Sequence, residues 1–418
     1  MGALDKNGFS AIKKILFNWL QILFNFINSL WQKPTDEYEN SASVYKIIHR
    51  YKEEFTYSKK NDFLILFTEF SHPNIVLAEN YSLYTFTDDE AIFVDCGDCD
   101  IFDKTKAFVY DTQYKNAVKM VTMPLHSFHL VAKQVNVPKI PIIHLANHGR
   151  CGSTLLTKVF DAIPGALSIS ETNGFSDVVL LSHNGNKNRE TLKKLCLSVI
   201  LMTIKHGNTR NSTCIFIKLK NYALFLVDIM VEVLPSMKQV YMYRQGIGFV
   251  RSWEKLFIAN DWKPLPTHIH KLICGIGKHR LMKDSLQRIE SVNLEDLSHF
   301  AKIALIWIFS AVAYERLLQS DLKMKSLKYE HLVANPKKVL TNFFEFVELP
   351  LDQLPDIEDA FSNDSQQDTP FSSRHVDKEK LKLGLAPITD ELKIEVENLC
   401  EMFDVPRFWD NVVLKNDL

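Results

Sequence analysis

Residues 140–163 read IPIIHLANHGRCGSTLLTKVFDAI, and their interpretation decides the fold. IPIIHLA is a short apolar run without alternation, the texture of a strand buried on both faces. STLLTKVFDAI, from Ser153, reads as a helix. Between them lies the turn Gly149-Arg150-Cys151-Gly152-Ser153-Thr154. Consecutive backbone N–H groups leading into a helix N-terminus form a concave anion site, and glycine lets the backbone approach a phosphate closely. Arg150 adds a fork of charged donors, and the hydroxyls of Ser153 and Thr154 add two more. Taken alone, the stretch can also be read as an ordinary strand-to-helix turn with a serine N-cap. It is not a Walker A loop, which needs lysine directly before the final serine or threonine; here Gly152 stands there.

Outward from this stretch the pattern repeats. TCIFIKL is a second strand and YALFLVDIMVEVL a helix; QVYMY is a third strand, followed by a helix carrying FVRSWEKLF. The run IALIWIFSAVAYERLL, bounded by Lys302 and Glu315, is a core helix too short to span a bilayer, and SLKYE follows it. Such alternation predicts an α/β fold with a three-layer, P-loop-like parallel sheet covered by helices on both faces. Residues 136–418 are assigned to this nucleotide-binding domain. Residues 46–135 have another texture, with short apolar runs (DFLILFTEF, YSLYTF, AIFVDC, KAFVY) separated by turn residues. They read as strands of an α+β accessory region without evident chemistry.

Three elements, in order, resemble the sulfotransferase family. The loop with arginine at 150 and glycine before Ser153 is similar to the 5′-phosphosulfate loop of these enzymes. Arg244 closes the strand YMYR, and Ser252 stands eight residues later on the next helix. In the family an arginine and serine so spaced hold the nucleotide's 3′-phosphate; Gln245 replaces the acidic residue that often follows the arginine. Lys328-Tyr329-Glu330-His331-Leu332, then Asn335-Pro336 and a helix, resembles the tyrosine-containing segment that runs beside the nucleotide. The resemblance spans residues 139–375. It implies 3′-phosphoadenosine 5′-phosphosulfate as donor, with contacts from Gly149, Arg150, Cys151, Gly152, Ser153, Thr154, Arg244, Ser252 and Tyr329. It also implies a metal-free transfer to a hydroxyl on a carbohydrate, a protein tyrosine or a small molecule.

Sulfuryl transfer needs a base for the acceptor proton and positive charge for the bridging oxygen. Glu171, in SISETNG, lies twenty-one residues after Arg150, a spacing shared with the tyrosylprotein sulfotransferases, and is the candidate base. Arg150 and a lysine are the candidate cations; Lys218 closes the Ile-Phe-Ile run and is preferred to Lys220. His148 reads as a turn residue beside the loop. Ser365, Ser372 and Arg374 resemble a late nucleotide-contacting segment only loosely. Two other readings stay open: a P-loop ATP-dependent small-molecule kinase, which would want magnesium and a strand-end aspartate, and a non-catalytic nucleotide-binding or membrane-bound scaffold protein.

The 49 basic and 50 acidic residues among 418 provide no global field for nucleic acid. Seven cysteines at irregular spacing give no disulfide framework, and Cys96-x-x-Cys99 has no second pair to complete a zinc site. Residues 1–45 form an apolar segment. ILFNWLQILFNFINSLW (15–31) follows Lys13 and Lys14, while Asn18, Gln21, Asn25 and Asn28 draw a polar stripe along it. Spanning a membrane, lying in its interface and packing on the protein all fit this pattern. Membrane contact is therefore expected through residues 9–31, with a Golgi-type signal anchor and a cytoplasmic location both open.

Overall fold

The computed structural model describes residues 6–32, 41–53, 56–183, 188–259, 273, 275, 279–320, 322–355, 384–385 and 387–418. The chain forms two compact units. The first is Met1–Pro138 with Thr172–Asp177 and Ser198–Arg210; the second is Lys139–Glu171, Val178–Leu197 and Asn211–Leu418. Ser365, Ser372 and Arg374 lie outside the described residues.

The first unit begins with α1 (Lys6–Trp31) and continues through β1 (Ala42–Arg50), β2 (Phe63–Ser71), β3 (Tyr81–Phe86), β4 (Glu90–Asp95), α2 (Val109–Asn116), β5 (Lys119–Pro124) and α3 (Leu125–Ala132). Its sheet has the order β2-β1-β5-β4-β3 and is antiparallel throughout. Alternate residues divide the core. Tyr45, Phe63, Tyr84, Ile92 and Met120 pack with Tyr114 of α2, whereas Phe93 turns the other way to meet Phe128 of α3. KAFVY, expected as a strand, is instead the start of α2. Phe108 is the extended cap, and the polar residues that follow support a helix, with Asp111 and Lys115 paired at 2.6 Å one turn apart. β1 and β5 were not visible as strands, because lysine, histidine and proline interrupt their apolar pattern.

The second unit is built on β6 (Ile142–Asn147), α4 (Ser153–Asp161), β7 (Ala166–Ser170), β8 (Cys214–Lys218), α7 (Val227–Val233), β9 (Lys238–Tyr243), α8 (Gly246–Ala259), α9 (Leu286–Ser291), α10 (His299–Gln319), β10 (Met324–Lys328), α11 (Tyr329–Ala334), α12 (Pro336–Val347) and α13 (Asp390–Phe403). Helices α5 (Asn173–His183) and α6 (Arg189–Thr209) carry residues of both units. The five strands are all parallel in the order β10-β9-β6-β8-β7. Period-two alternation sends Ile143, Leu145, Phe216, Val240 and Met242 to one face, against Phe160 of α4 and Phe343 and Phe344 of α12. Phe160 stacks on Phe216 with ring centroids 4.0 Å apart. Tyr241 faces the opposite side and stacks on Tyr314 of α10 at 5.0 Å. Helices thus cover both faces, and the interior of α10 is buried on nearly all sides as a core helix.

The stretch from Tyr222 to Leu234, expected as one helix, opens as a 3₁₀ turn (Asn221–Leu226) before α7. Tyr222 to Val227 are buried consecutively. The tighter three-residue coil accommodates that burial where a single-faced α-helix would not. Among the described residues, no helix is long and apolar enough to cross a membrane.

Candidate active site

β6 is the middle strand, and the turn leaving its carboxyl end opens between the ends of β9 and β8. Neighbouring strands with connections running to opposite sides leave a crevice there, the usual ligand position in an open parallel sheet. Asn147 ends β6 and braces the turn. Its Oδ1 accepts from Gly149 N at 2.9 Å, and its Nδ2 donates to Leu219 O, just past β8, at 2.7 Å. Gly149, Arg150 and Gly152 all have positive φ, at 83°, 52° and 83°. Left-handed residues in a turn aim successive N–H groups into one concavity. Only glycine is tolerated at 152, since a Cβ there would fall 2.5 Å from Cδ2 of the Tyr329 ring. Ser153 and Thr154 begin α4 and are nearly enclosed, and the Cys151 side chain is fully buried. Burial pushes the Cys151 thiol up to about 11, while backbone contact with Ser153 and the positive charges of Lys218 and Arg244 oppose the rise. That thiol therefore marks a point in the loop that feels both cations.

Arg150 reaches across to α8, where its Nε donates to Ser252 Oγ at 3.1 Å. Arg244 follows β9, and its guanidinium lies 4.7 Å over the Tyr329 ring, with Nε 3.7 Å from Glu330 Oε1. The Glu330 carboxylate also accepts from Gln245 N at 3.2 Å, while the Gln245 side chain donates to the carbonyls of Trp409 and Asp410. The acidic side chain absent at 245 is thus supplied to this turn from α11.

Lys218 closes β8 and is paired with Ser170 of β7 and Leu145 of β6 in the sheet register. Its ammonium, almost completely buried, donates to Glu171 Oε1 in an ion pair. Glu171 sits one residue past β7 at φ 59°, and its N–H donates to Lys218 O at 2.7 Å. The left-handed backbone turns the carboxylate back toward the neighbouring strand end instead of along β7. Lys220, two residues further, is half-buried and caps the 3₁₀ turn with an extended backbone.

Three residues at the site carried no sequence signal of their own. His148 is fully buried between the loop and β9: Arg244 N donates to its Nε2 at 2.8 Å, so its Nδ1 carries the proton and donates to Gly149 O at 2.8 Å. Asn221 and Trp253 approach Gly149 closely enough that a Cβ there would lie 3.5 Å and 3.7 Å from them. The buried Trp253 Nε1 has no acceptor among the described residues.

Burial holds His148 neutral, depressing its pKa to about 4, and does the same for His144, whose Nδ1 meets Gln239 Oε1 at 2.6 Å. Both values fall from 6.5, so between 6.5 and 4 the unfolded chain binds more protons than the folded one. The stability that these rings contribute is complete above pH 6.5 and declines as pH falls toward 4. Urea midpoints are expected to drop from pH 7.5 to 4.5, with a shallower drop in His144→Gln. An equal drop in that variant would show that other groups carry the dependence.

The sheet and its loop define a P-loop-like α/β unit. No family profile matches the sequence, and no curated protein matches it. Among solved structures the chain is similar to the sulfotransferase domain of the curacin biosynthetic pathway (14% identity, 65% of this chain and 99% of that one, TM-score 0.38). It is also similar to a sulfotransferase from Alicyclobacillus acidocaldarius (14%, 63% and 97%, TM-score 0.34) and to the sulfotransferase domain of the Synechococcus PCC 7002 olefin synthase (17%, 65% and 98%, TM-score 0.33). These are distant likenesses, and the functional reading rests on the site.

Proposed function

We propose that this chain is a sulfotransferase that moves a sulfuryl group from 3′-phosphoadenosine 5′-phosphosulfate to a hydroxyl acceptor. One observation carries the reading: a buried lysine paired with a half-buried glutamate closes two neighbouring parallel strands beside a glycine-rich anion loop. In the proposed site the loop N–H groups, Arg150, Ser153 and Thr154 hold the 5′-phosphosulfate end of the donor. Arg244 and Ser252 hold the 3′-phosphate, and Tyr329 orients Arg244. The acceptor oxygen forms a bond to sulfur as the bond from sulfur to the nucleotide phosphate oxygen breaks. Glu171 takes the acceptor proton, and Lys218 meets the charge that develops on the departing oxygen. Without donor, each neutralises the other. A phosphate-bearing donor would draw the ammonium away from the carboxylate and leave Glu171 free to accept a proton.

Kinase chemistry has less support. The five parallel strands end in Asn147, Ser170, Lys218, Tyr243 and Lys328, so none ends in the aspartate that would hold magnesium. Thermal stabilisation separates the readings. Adenosine 3′,5′-bisphosphate is expected to raise Tm, and ATP with magnesium is not. If only ATP with magnesium stabilises the chain, the kinase is favoured; if neither does, the non-catalytic reading is. Within the sulfotransferase reading, Arg244→Ala is expected to weaken nucleotide binding by about tenfold to a hundredfold, the worth of one charge-assisted contact. Ser252→Ala is expected to act in the same direction and to remove the hydrogen bond from Arg150 Nε as well. Unchanged affinity in both variants, measured by calorimetry, would remove the 3′-phosphate assignment.

A further inference from the structure

Helix α1 is seated inside out. The strand it packs on, β2, is the edge of the first unit's sheet. Two residues of its polar stripe, Gln21 and Asn28, face the protein: Asn28 Nδ2 donates to Ile65 O at 3.0 Å, and Asn28 Oδ1 accepts from Phe67 N at 2.8 Å. The amide of Asn28 thus occupies the open edge of β2 as a neighbouring strand would. Gln21 donates to Asn61 O at 2.5 Å, Gln32 donates to Ser43 Oγ at 2.9 Å, and Phe17 is buried beside them near Tyr51. Asn18 and Asn25, the other half of the polar stripe, are exposed.

The opposite face is apolar and uncovered. Ile15, Trp19, Ile22, Phe26 and Leu30 step by four, three, four and four, so they form one ridge; with Trp31 each is more than half exposed. Ten large hydrophobic residues between Ile12 and Trp31 are exposed in all. Soluble monomers rarely leave so large an apolar patch in water. Burying the ridge against the sheet would strand the edge groups that Asn28 now satisfies, so the orientation follows from hydrogen bonding.

We propose that α1 is an in-plane anchor whose ridge enters one leaflet of a membrane bearing anionic headgroups. Charge favours lipid over a protein partner. No aspartate or glutamate occurs from Lys6 to Trp31, and the only ionisable side chains there are Lys6, Lys13 and Lys14. Lys13 and Lys14 are exposed, and Lys14 also pairs with Glu53 at 2.7 Å, which leaves the greater part of the attraction to the other two lysines. Cations flanking an apolar face are attracted to anionic headgroups. Shape favours lipid too, because the ridge is convex and continuous and a leaflet needs no matching groove. Trp19 is its most exposed member at 68%, and Trp31, off the ridge at the helix end, is 70% exposed. Their indole N–H groups suit the headgroup level while the rings enter the hydrocarbon. An interfacial helix of this kind buries its apolar face to a depth of about 5–10 Å.

The test is flotation of the full chain with vesicles of neutral phosphatidylcholine, and with vesicles in which about 30% is phosphatidylserine, an anionic lipid that attracts basic residues. The chain is expected to float with both and to prefer the anionic vesicles. Trp19→Glu combined with Phe26→Glu should lower the bound fraction at least about tenfold, since two apolar anchors become charges. Lys13→Glu should abolish the anionic preference and leave binding to neutral vesicles in place. Both variants change exposed side chains, so their urea midpoints should match that of the original chain. Failure of the original chain to float with either vesicle overturns the proposal, as does undiminished flotation of the double variant. A dimer seen by light scattering without vesicle binding, and dispersed by the same two substitutions, would assign the ridge to a second copy and overturn it as well.

Discussion

Replacing Glu171 with glutamine is expected to slow sulfuryl transfer by about a hundred- to ten-thousandfold, the usual effect of losing a general base, with nucleotide affinity nearly unchanged. Glutamine keeps the shape and still accepts a hydrogen bond from Lys218, so the ends of β7 and β8 stay joined. It cannot take the acceptor's proton. The backbone link from Glu171 N to Lys218 O does not depend on the side chain and should persist. The phosphates are assigned to the loop, Arg150, Arg244 and Ser252, none of which Glu171 touches among the hydrogen bonds described. The measurement is paired: calorimetry with adenosine 3′,5′-bisphosphate, and single-turnover transfer to an acceptor found by radiolabelled screening. Near-normal turnover would send the search to another base. Lost folding or lost nucleotide affinity would make Glu171 a structural residue.

Lys218→Met should have the second large effect, and on two readouts. Turnover is expected to fall by about a hundred- to thousandfold, as when one donor to a developing oxyanion is removed. Stability should fall too, by about 3–5 kcal/mol at the upper end, because the substitution leaves a largely enclosed carboxylate without its counter-charge. The Lys218 side chain is 3% exposed and that of Glu171 17%, so little water is available to take the ammonium's place. Combining Lys218→Met with Glu171→Gln removes the stranded charge and should recover much of the stability, with no recovery of turnover. Lys220→Met, in contrast, should change both modestly. If Lys220→Met carries the larger loss of turnover, the cation has been assigned to the wrong lysine.

How much of this was legible beforehand differs from element to element. The parallel sheet could be read because its strands are buried on both faces and appear as unbroken apolar runs, such as IPIIHLA and TCIFIKL. The antiparallel sheet could be read only in part. β3 and β4 appeared as YSLYTF and AIFVDC, but β1 and β5 mix charged and apolar residues, and KAFVY turned out to begin a helix. The loop was legible because glycine at a turn has a backbone reason, made concrete by the Tyr329 ring lying where a Cβ at 152 would fall. His148 was not legible as a link. A histidine beside a loop has no signature until β9 brings the Arg244 N–H within 2.8 Å of its ring.

By itself the sequence determined the α/β class, the position of the loop, the strand-end lysines and the placement of Arg244 and Ser252 on successive elements. These follow from local patterning and from fixed spacings along the chain. Only the tertiary structure decided which groups meet. It joined Lys218 to Glu171 across forty-seven residues and Arg150 to Ser252 across one hundred and two. It also turned α1 so that the Asn28 amide satisfies the edge of β2 while its apolar ridge faces outward. Hydrophobic periodicity tells that a helix has two faces; which face meets the protein depends on what the neighbouring strand leaves unsatisfied. Here that was a free N–H and a free C=O on an edge strand, and only a polar side chain could answer them.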